Sequence, residues 1–151
     1  YYYTEIYLQI LNQRYKEKLH FQIQKKASAS DILVPKLILQ PLIENAVFHG
    51  CSPQLDTRNS ITISTAVQDG FCSITVSDNG VGIPPEELEA LREKLSNVQN
   101  IPDDSIGLQN VVYRLYLTYG ETFSFCIDSR QNECTYITLS FPADITGEDK
   151  L

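Results

Sequence analysis

One apolar stretch of the chain contains side chains that could do chemistry. The sequence LILQPLIENAVFHG, residues 37–50, reads as a helix yet includes Gln40, Glu44, Asn45 and His49. An amide oxygen such as that of Asn45 suits Mg²⁺, and a carboxylate such as Glu44 can position or deprotonate a group. Asn45 and His49 are four residues apart and share a helix face. Because a buried polar edge must be satisfied, either a hydrated metal–phosphate group or a polar network that caps a neighbouring loop would explain it.

A second stretch, DNGVGIP at residues 78–84, directly follows a predicted strand. Asp78 stands at the strand end, and Gly80 and Gly82 flank a single residue. Glycines let a ligand approach the backbone closely, and a carboxylate can accept a hydrogen bond from an exocyclic amine. Asp-Asn-Gly is also a common turn sequence, so a ligand site and a plain turn both remain open.

A third stretch, SIGLQNVVYRLYLTYG at residues 105–120, begins an amphipathic helix at Gly107 and Leu108, immediately after a polar loop. The free amides of a helix N-terminus, together with the helix dipole, attract anions such as phosphate. The alternative is that Gly107 only ends the loop, without binding a ligand, and the sequence pattern would be the same. Taken alone, this stretch favours the simpler interpretation.

The elements that must position these residues are predicted from hydrophobic periodicity and turn residues. A helix is predicted for residues 1–18, with tyrosines that are exposed or pack against a second copy of the chain. A strand follows at residues 19–24 and directs His20 toward solvent. The helix that contains the first stretch is expected to settle after Pro41 and to stop at Gly50.

The rest of the chain alternates between hairpins and helices. The remaining elements are a hairpin, two helices and a second hairpin, at residues 60–78, 84–98, 106–120 and 122–142. Most strands come as antiparallel pairs and not as βαβ units. This order predicts an α/β two-layer sandwich, in which a mixed, mainly antiparallel sheet carries helices on one face.

Composition and charge exclude several classes of protein. The 151 residues suit one domain with a short arm, and no apolar run is long enough to span a membrane. The net charge of −7 argues against nucleic-acid binding. The four cysteines form no CxxC pair, which argues against a zinc site and suits a reducing cytoplasm. Because the chain begins at Tyr1 without Met, we expect a fragment of a longer protein.

The three stretches in this order resemble the N box and the two glycine boxes of the Bergerat-fold (GHKL) ATPases. More closely, they resemble the ATP-binding catalytic domain of bacterial sensor histidine kinases of the LytS/YesM type. The wordings IPxLxLQPLxENAxxHG and GLxNVxxRLxLxYG are specific to that branch, and here Val34 takes the place of the first Ile. The resemblance spans residues 34–142.

The resemblance implies roles for residues at the phosphate end of a bound nucleotide. Asn45 matches the Mg²⁺ ligand, Glu44 the acid that assists phosphoryl transfer, and His49 the polar end of the N box near the phosphates. Phe48 stands where many members carry Lys. The start of the 106–120 helix would contribute backbone amides and nearby side chains, from Gly107, Leu108, Asn110 and Arg114.

The resemblance also implies roles at the adenine end. Asp78 matches the carboxylate that binds the adenine amino group. Thr135 matches a threonine that supports adenine through water, although Cys134 precedes it where the family usually has Gly. Residues 84–106 would contain the ATP lid. The floor under the nucleotide and the hinge of the lid would be formed by Gly80, Gly82 and Ile83.

As a whole, the resemblance implies the kinase domain of a two-component sensor histidine kinase. It would bind Mg-ATP and transfer the γ-phosphoryl to a His on an upstream segment of its own homodimer, for relay to a response-regulator Asp. The implied parts are the end of a helical dimerisation arm, the ATP-binding catalytic domain and a flexible tail, at residues 1–18, 19–145 and 146–151.

The implied location is the cytoplasmic side of a membrane-anchored sensor, and the isolated fragment is not expected to autophosphorylate. Two alternatives stay open. One is an ATPase or an anti-sigma-type Ser kinase on the same fold. The other is an interaction module that has lost nucleotide binding.

Overall fold

The computed structural model of the chain describes residues 2–15, 18–25, 38–51, 59–97 and 107–143. The helices are α1 (Tyr2–Arg14), α2 (Leu39–Asn45) with its π-helical continuation (Ala46–Cys51), α3 (Pro85–Ser96) and α4 (Leu108–Tyr119), which ends in a short 3-10 turn (Gly120–Thr122). The strands are β1 (Leu19–Lys25), β2 (Asn59–Gln68), β3 (Phe71–Asp78), β4 (Ser124–Arg130) and β5 (Cys134–Pro142). The predicted order of elements is confirmed.

The strands form a single sheet in the order β1-β2-β3-β5-β4. The β1–β2 pair is parallel, whereas β2–β3, β3–β5 and β5–β4 are antiparallel. The sheet is therefore mixed and mainly antiparallel, as the sequence predicts. Asp69 and Gly70 form the predicted β2–β3 turn, and both have positive φ.

Alternation along the strands places the core on one face of the sheet. The central strands β2, β3 and β5 each bury every second residue on this face. Helices α2 and α4 cover it with buried Leu42, Ile43, Val111 and Leu115. The opposite face carries short hydroxyl side chains, including the Thr75–Thr138 pair, whose oxygens are 3.0 Å apart. This is the predicted two-layer arrangement with helices on one face.

The first helix differs from its prediction in length and in the environment of its tyrosines. It ends at Arg14, and the Lys18 amide donates to the Tyr15 carbonyl at 3.1 Å in the turn that leads to β1. Tyr7 and Tyr15 are half-buried against the main core and are not exposed. The reason is tertiary packing: Leu8 and Leu11 of α1 are buried in the same core as the sheet.

Two predicted parts lie outside the described residues, namely residues 98–106 of the predicted lid, with the polar loop before Gly107, and the tail at residues 146–151. Helix α3 occupies the first half of the segment predicted to contain the lid. None of the described helices is long and apolar enough to cross a membrane.

Candidate nucleotide site

The first chemistry-bearing stretch forms a helix that changes type in the middle. Pro41 lies in the first turn of α2, as predicted, and the α-helix gives way to a π-helix at Ala46. Single π turns inside helices are often found at functional sites. The buried side of this helix is apolar, whereas Glu44 and Asn45 are half-buried and His49 is exposed.

Gly50 has a different role from the predicted helix stop. It lies inside the π-helix and is buried. A Cβ atom built on Gly50 would collide with the carboxylate of Asp78, and one on Gly80 would collide with the backbone of Gly50. The helix, the strand end and the glycine loop therefore meet at van der Waals contact, and glycine is required there for space. The prediction of a helix stop at Gly50 was wrong.

Asp78 is enclosed by this contact. Its side chain is buried, with 5% of the residue exposed, and its Oδ1 accepts a hydrogen bond from the Gly80 amide at 3.0 Å. Burial raises the pKa of Asp78 from 3.8 to about 6, and the Gly80 amide opposes that rise. Burial, followed by the nearby Asp78 charge, raises the pKa of the Cys51 thiol to about 12. A carboxylate can accept several hydrogen bonds, so Asp78 retains acceptor capacity beyond Gly80.

Three polar side chains on the helix-facing side of the sheet lie side by side on adjacent strands. Asp78 of β3 is opposite Thr135 of β5, and Thr135 is opposite Ser129 of β4. Thr135 is buried, and its Oγ1 lies 2.9 Å from the Ser129 Oγ. Ser129 donates its one hydroxyl hydrogen to the Cys134 carbonyl at 2.8 Å, so Thr135 must donate to Ser129.

Ser129 also fixes the glycine loop, a role that no sequence motif indicates. The Ile83 amide donates to the Ser129 Oγ at 2.8 Å. The Val81 amide donates to the Gly50 carbonyl at 2.9 Å, and the Val81 carbonyl accepts from the Asn132 amide at 2.6 Å. The loop is thus tied on one side to the π-helix and on the other to the β4–β5 turn.

A cavity of about 600 Å³ opens above this loop. A second cavity of about 300 Å³ adjoins it and shares Asn45, His49 and Leu91 with it. The larger one is lined by Asn45, His49, Gly50, Val81, Gly82, Ile83, Pro84, Glu87, Leu91, Gln131, Asn132 and Thr135. The smaller one is lined by Pro41, Glu44, Asn45, Phe48, His49, Leu91, Lys94, Leu95, Gly107, Leu108 and Gln109. Because they share these three residues, the two cavities are treated together as the candidate site.

Most of the predicted site residues are brought together here. Glu44, Asn45 and His49 line one or both cavities, and five further predicted residues do so as well: Gly82, Ile83, Gly107, Leu108 and Thr135. Four predicted residues line neither cavity: Asp78, Gly80, Asn110 and Arg114. Asp78 and Gly80 lie immediately beneath Gly50, which does line the larger cavity.

Lys94 is a cavity residue that sequence reasoning missed. It lies in the last turn of α3 and lines the smaller cavity with Gly107 and Glu44. Gly107 has φ +72° and directly precedes α4, so the first amides of α4 lie at this end of the site. A cation and a helix N-terminus together favour an anionic group here. The sequence offered one indication of Lys94, namely a basic residue in the last turn of the helix that precedes the polar loop.

Another cavity, of about 570 Å³, lies between α3, α4 and β4. Among the described residues, its lining includes none of the predicted ones and no glycine above a buried carboxylate. The paired cavities are therefore the better candidate for a nucleotide.

Glu44 is held from two sides. Its Oε1 accepts hydrogen bonds from the Tyr7 hydroxyl at 2.9 Å and from the Gln40 amide at 3.0 Å. Within the described residues, no group of three His, Cys, Asp or Glu side chains could hold a metal ion. The donor set fits a Mg²⁺ ion that arrives on substrate phosphates and takes one amide oxygen from the protein.

Comparison with known proteins places the chain in a family. Residues 30–145 match the family described as "Histidine kinase-, DNA gyrase B-, and HSP90-like ATPase". The chain is 32% identical over 136 residues to the sensor histidine kinase YesM of Bacillus subtilis, covering 90% of this chain and 22% of that protein. It is 30% identical over 141 residues to the sensor protein kinase HptS of Staphylococcus aureus, covering 93% and 26%. The chain thus spans about a quarter of the length of these curated relatives.

Solved structures show the same fold. The catalytic domain of histidine kinase ThkA superposes with a TM-score of 0.64 at 18% identity, covering 93% of this chain and 90% of that one. The mycobacterial sensor histidine kinase MprB superposes with a TM-score of 0.59 at 18% identity, covering 90% and 89%. From the family match over residues 30–145, this chain belongs to the histidine kinase-, DNA gyrase B- and HSP90-like ATPases.

Proposed function

We propose that this chain is the ATP-binding catalytic domain of a sensor histidine kinase of the LytS/YesM type. The observation that carries the proposal is the buried Asp78 carboxylate, held between Gly50 and Gly80 beneath one cavity and next to a second that reaches the start of α4. The sensor-kinase names of the similar proteins support the same conclusion.

Adenine would bind at the Asp78 end of the site. The ionised carboxylate accepts the exocyclic amino group, and Thr135 supports the same edge of the base, directly or through water. The Ser129 network holds Thr135 and the Ile83 amide in fixed positions, so little ordering is needed when the base binds.

The triphosphate would extend toward Gly107. The first amides of α4 and the Lys94 ammonium, which line the smaller cavity, would face the phosphates, and Asn45 would supply an amide oxygen to an accompanying Mg²⁺ ion. When bound, Mg²⁺ neutralises phosphate charge. His49 lines both cavities and lies between the two ends of the nucleotide.

Phosphoryl transfer would use a His on an upstream segment, within a homodimer. An imidazole nitrogen forms a bond to the γ-phosphorus while the bond to the β–γ bridging oxygen breaks, and ADP leaves with that electron pair. The imidazole proton passes to the Glu44 carboxylate. The phosphoryl group then moves to an Asp of a response regulator. Such chemistry depends mainly on positioning and on charge stabilisation.

The proposal extends to the rest of the longer protein. We infer that this domain lies in the cytoplasm as part of a membrane-anchored sensor, as the sensor kinases it resembles suggest. The isolated chain should bind nucleotide without autophosphorylation, because the phosphoacceptor would be on the upstream segment.

The test is a calorimetric titration of this chain with Mg-ATP, beside Asp78→Asn. The wild type should bind saturably, and the variant should bind about a thousandfold more weakly, because an amide presents a donor where adenine needs an acceptor. Asp69→Asn is the matched control: Asp69 lies in the distant β2–β3 turn with φ +53°, where Asn is well tolerated.

Two outcomes of this titration would contradict the proposal. Equal binding by the wild type and Asp78→Asn would contradict the adenine assignment. Absence of binding by the wild type at millimolar Mg-ATP would contradict the kinase proposal and favour an interaction module.

A further inference from the structure

Helix α1 presents one face to the candidate nucleotide site. Tyr7, Leu11 and Arg14 are spaced by four and three residues, so they lie on the same side of the helix. Leu11 is buried in the main core, with 3% exposed, whereas Ile6 and Ile10 on the adjoining flank of the helix are 39% and 57% exposed. The orientation of α1 on the domain is therefore fixed by packing.

The first residue of this face contacts the proposed catalytic carboxylate. The Tyr7 hydroxyl donates to the Glu44 Oε1 at 2.9 Å, in a half-buried contact between residues 37 positions apart. Burial, and then the bond to Glu44, raises the pKa of Tyr7 well above its ordinary value. The phenol therefore remains a hydrogen-bond donor throughout the pH range in which a kinase works.

The last residue of this face, Arg14, contacts the helix that carries Glu44, one turn further along that helix. The Arg14 guanidinium lies over the Phe48 ring, 5.9 Å from its centroid, within the range of cation–π attraction. Phe48 lines the smaller cavity beside Glu44. Helix α1 thus contacts the N-box helix, which is α2 with its π-helical continuation, at two points one turn apart. Both points lie at the phosphate end.

We propose that Tyr7 is a positioning residue for Glu44, so that the docking of α1 sets the orientation of the carboxylate that receives the imidazole proton. This inference rests on the proposed function. The bond leaves the second carboxylate oxygen to face the substrate, and it limits rotation of the side chain. Gln40 bonds to the same oxygen from within α2, so Tyr7 is the part of this pair that comes from outside the N-box helix.

The consequence is a link between α1 and chemistry that does not involve nucleotide affinity. A carboxylate that loses one of two orienting bonds spends less time in the productive orientation, whereas the adenine end is unaffected. Loss of a hydrogen bond to a charged group corresponds to about a tenfold decrease in rate. Binding of Mg-ATP should stay within about twofold.

The experiment uses the full-length protein that contains this chain, with autophosphorylation by labelled ATP as the rate and Mg-ATP titration as the affinity. The variants are Tyr7→Phe, Glu44→Gln and the double variant. Tyr15→Phe is the matched control, because it removes a hydroxyl from the residue that directly follows α1 and keeps the ring that Arg14 contacts. Thermal unfolding checks that all of them are folded.

The proposal predicts that Tyr7→Phe lowers the rate about tenfold at unchanged affinity, and that Tyr15→Phe does not. In the Glu44→Gln background, Tyr7→Phe should cause no further loss, because its effect acts through that carboxylate. An equal loss in both backgrounds, or no loss in either, would overturn the role of Tyr7. A Glu44→Gln variant with the wild-type rate would instead overturn the catalytic role of Glu44 itself.

Discussion

The two ends of the candidate site are built in different ways. At the adenine end, Asp78, Thr135 and Ser129 project from adjacent strands, and the first two are almost fully buried. At the phosphate end, Glu44 and Asn45 lie on a helix that changes from α to π, and they are only half-buried. One end is an interlocked hydrogen-bond network, and the other is an open set of helix termini and charged side chains.

This difference follows from what each end would have to recognise. An uncharged base edge is distinguished only by well-placed donors and acceptors, so its partners must be held before the ligand arrives. A triphosphate interacts through charge, which acts over longer distances and tolerates small displacements. The rigid network belongs where specificity is set, and the open end can accommodate Mg²⁺ and its waters.

The largest expected effect tests whether the adenine end is as tightly packed as it looks. Gly80→Ala should lower the free energy of unfolding by about 3 kcal/mol, because its Cβ would overlap the Gly50 backbone, which cannot move aside cheaply. Gly107→Ala should cost about 1 kcal/mol, since no described atom crowds the added Cβ and the φ of +72° is what opposes a side chain. Urea denaturation measures both.

Gly70→Ala provides the control for Gly107→Ala. Gly70 also has positive φ and free space, but it lies in the distant β2–β3 turn. The two should therefore lose similar stability. If Gly80→Ala proved as mild as these, the close contact of loop and helix would not hold in solution, and the contrast between the two ends would weaken.

The next largest effect is the change in stability with pH that the buried Asp78 carboxylate causes. The pKa of Asp78 rises from 3.8 to about 6 on folding because burial disfavours the ionised form. The folded state then binds more protons between these values, so this group stabilises the free protein at low pH. That stability is lost as the pH rises through about 6. We expect this group to contribute a loss of about 2 kcal/mol between pH 4.5 and pH 8, a contribution that Asp78→Asn lacks.

The measurement is urea denaturation of both proteins at the two pH values, with no nucleotide present. Other groups titrate in both proteins, so the informative quantity is the difference between the two pH dependences. Parallel curves would mean that Asp78 is solvated in the free protein. In that case the adenine end would resemble the open phosphate end.

Regular elements could be predicted from the sequence because their signals are local. Strands β2 and β3 alternate buried and half-buried residues around the Asp69-Gly70 turn, and period-two alternation is a property of adjacent residues. The pairing of β3 with β5 was not predicted, since no local pattern identifies a partner so distant in the chain. The end of α1 was misplaced because residues 13–18 suit a helix locally, while the burial of Leu19 in the sheet is a tertiary effect.

In the candidate site too, residues within local motifs could be predicted, whereas contacts between distant parts of the chain could not. The predicted roles of Asp78 and Asn45 came from the motifs that contain them, and they stay predictions until nucleotide binding is measured. The Tyr7–Glu44 bond joins residues 37 positions apart, and the Ile83–Ser129 bond joins residues 46 apart. The motifs did not identify Tyr7 or Ser129. Tyrosine and serine are also common on protein surfaces, so residue type alone did not mark either side chain. Only the packing of α1 and β4 reveals what they contact.

The smallest expected effect tests the open end. Lys94→Gln should weaken ATP binding about tenfold, because Lys94 lines the smaller cavity beside Gly107, and it should leave AMP binding unchanged. The loss should shrink at high salt, since the contact is partly exposed. Lys18→Gln is the charge-matched control: Lys18 is exposed just before β1 and lines neither cavity, so ATP affinity should stay within about twofold. Equal losses in the two variants would show that the phosphate end attracts ATP through its overall field and not through a defined contact, which would extend the contrast with the adenine end further.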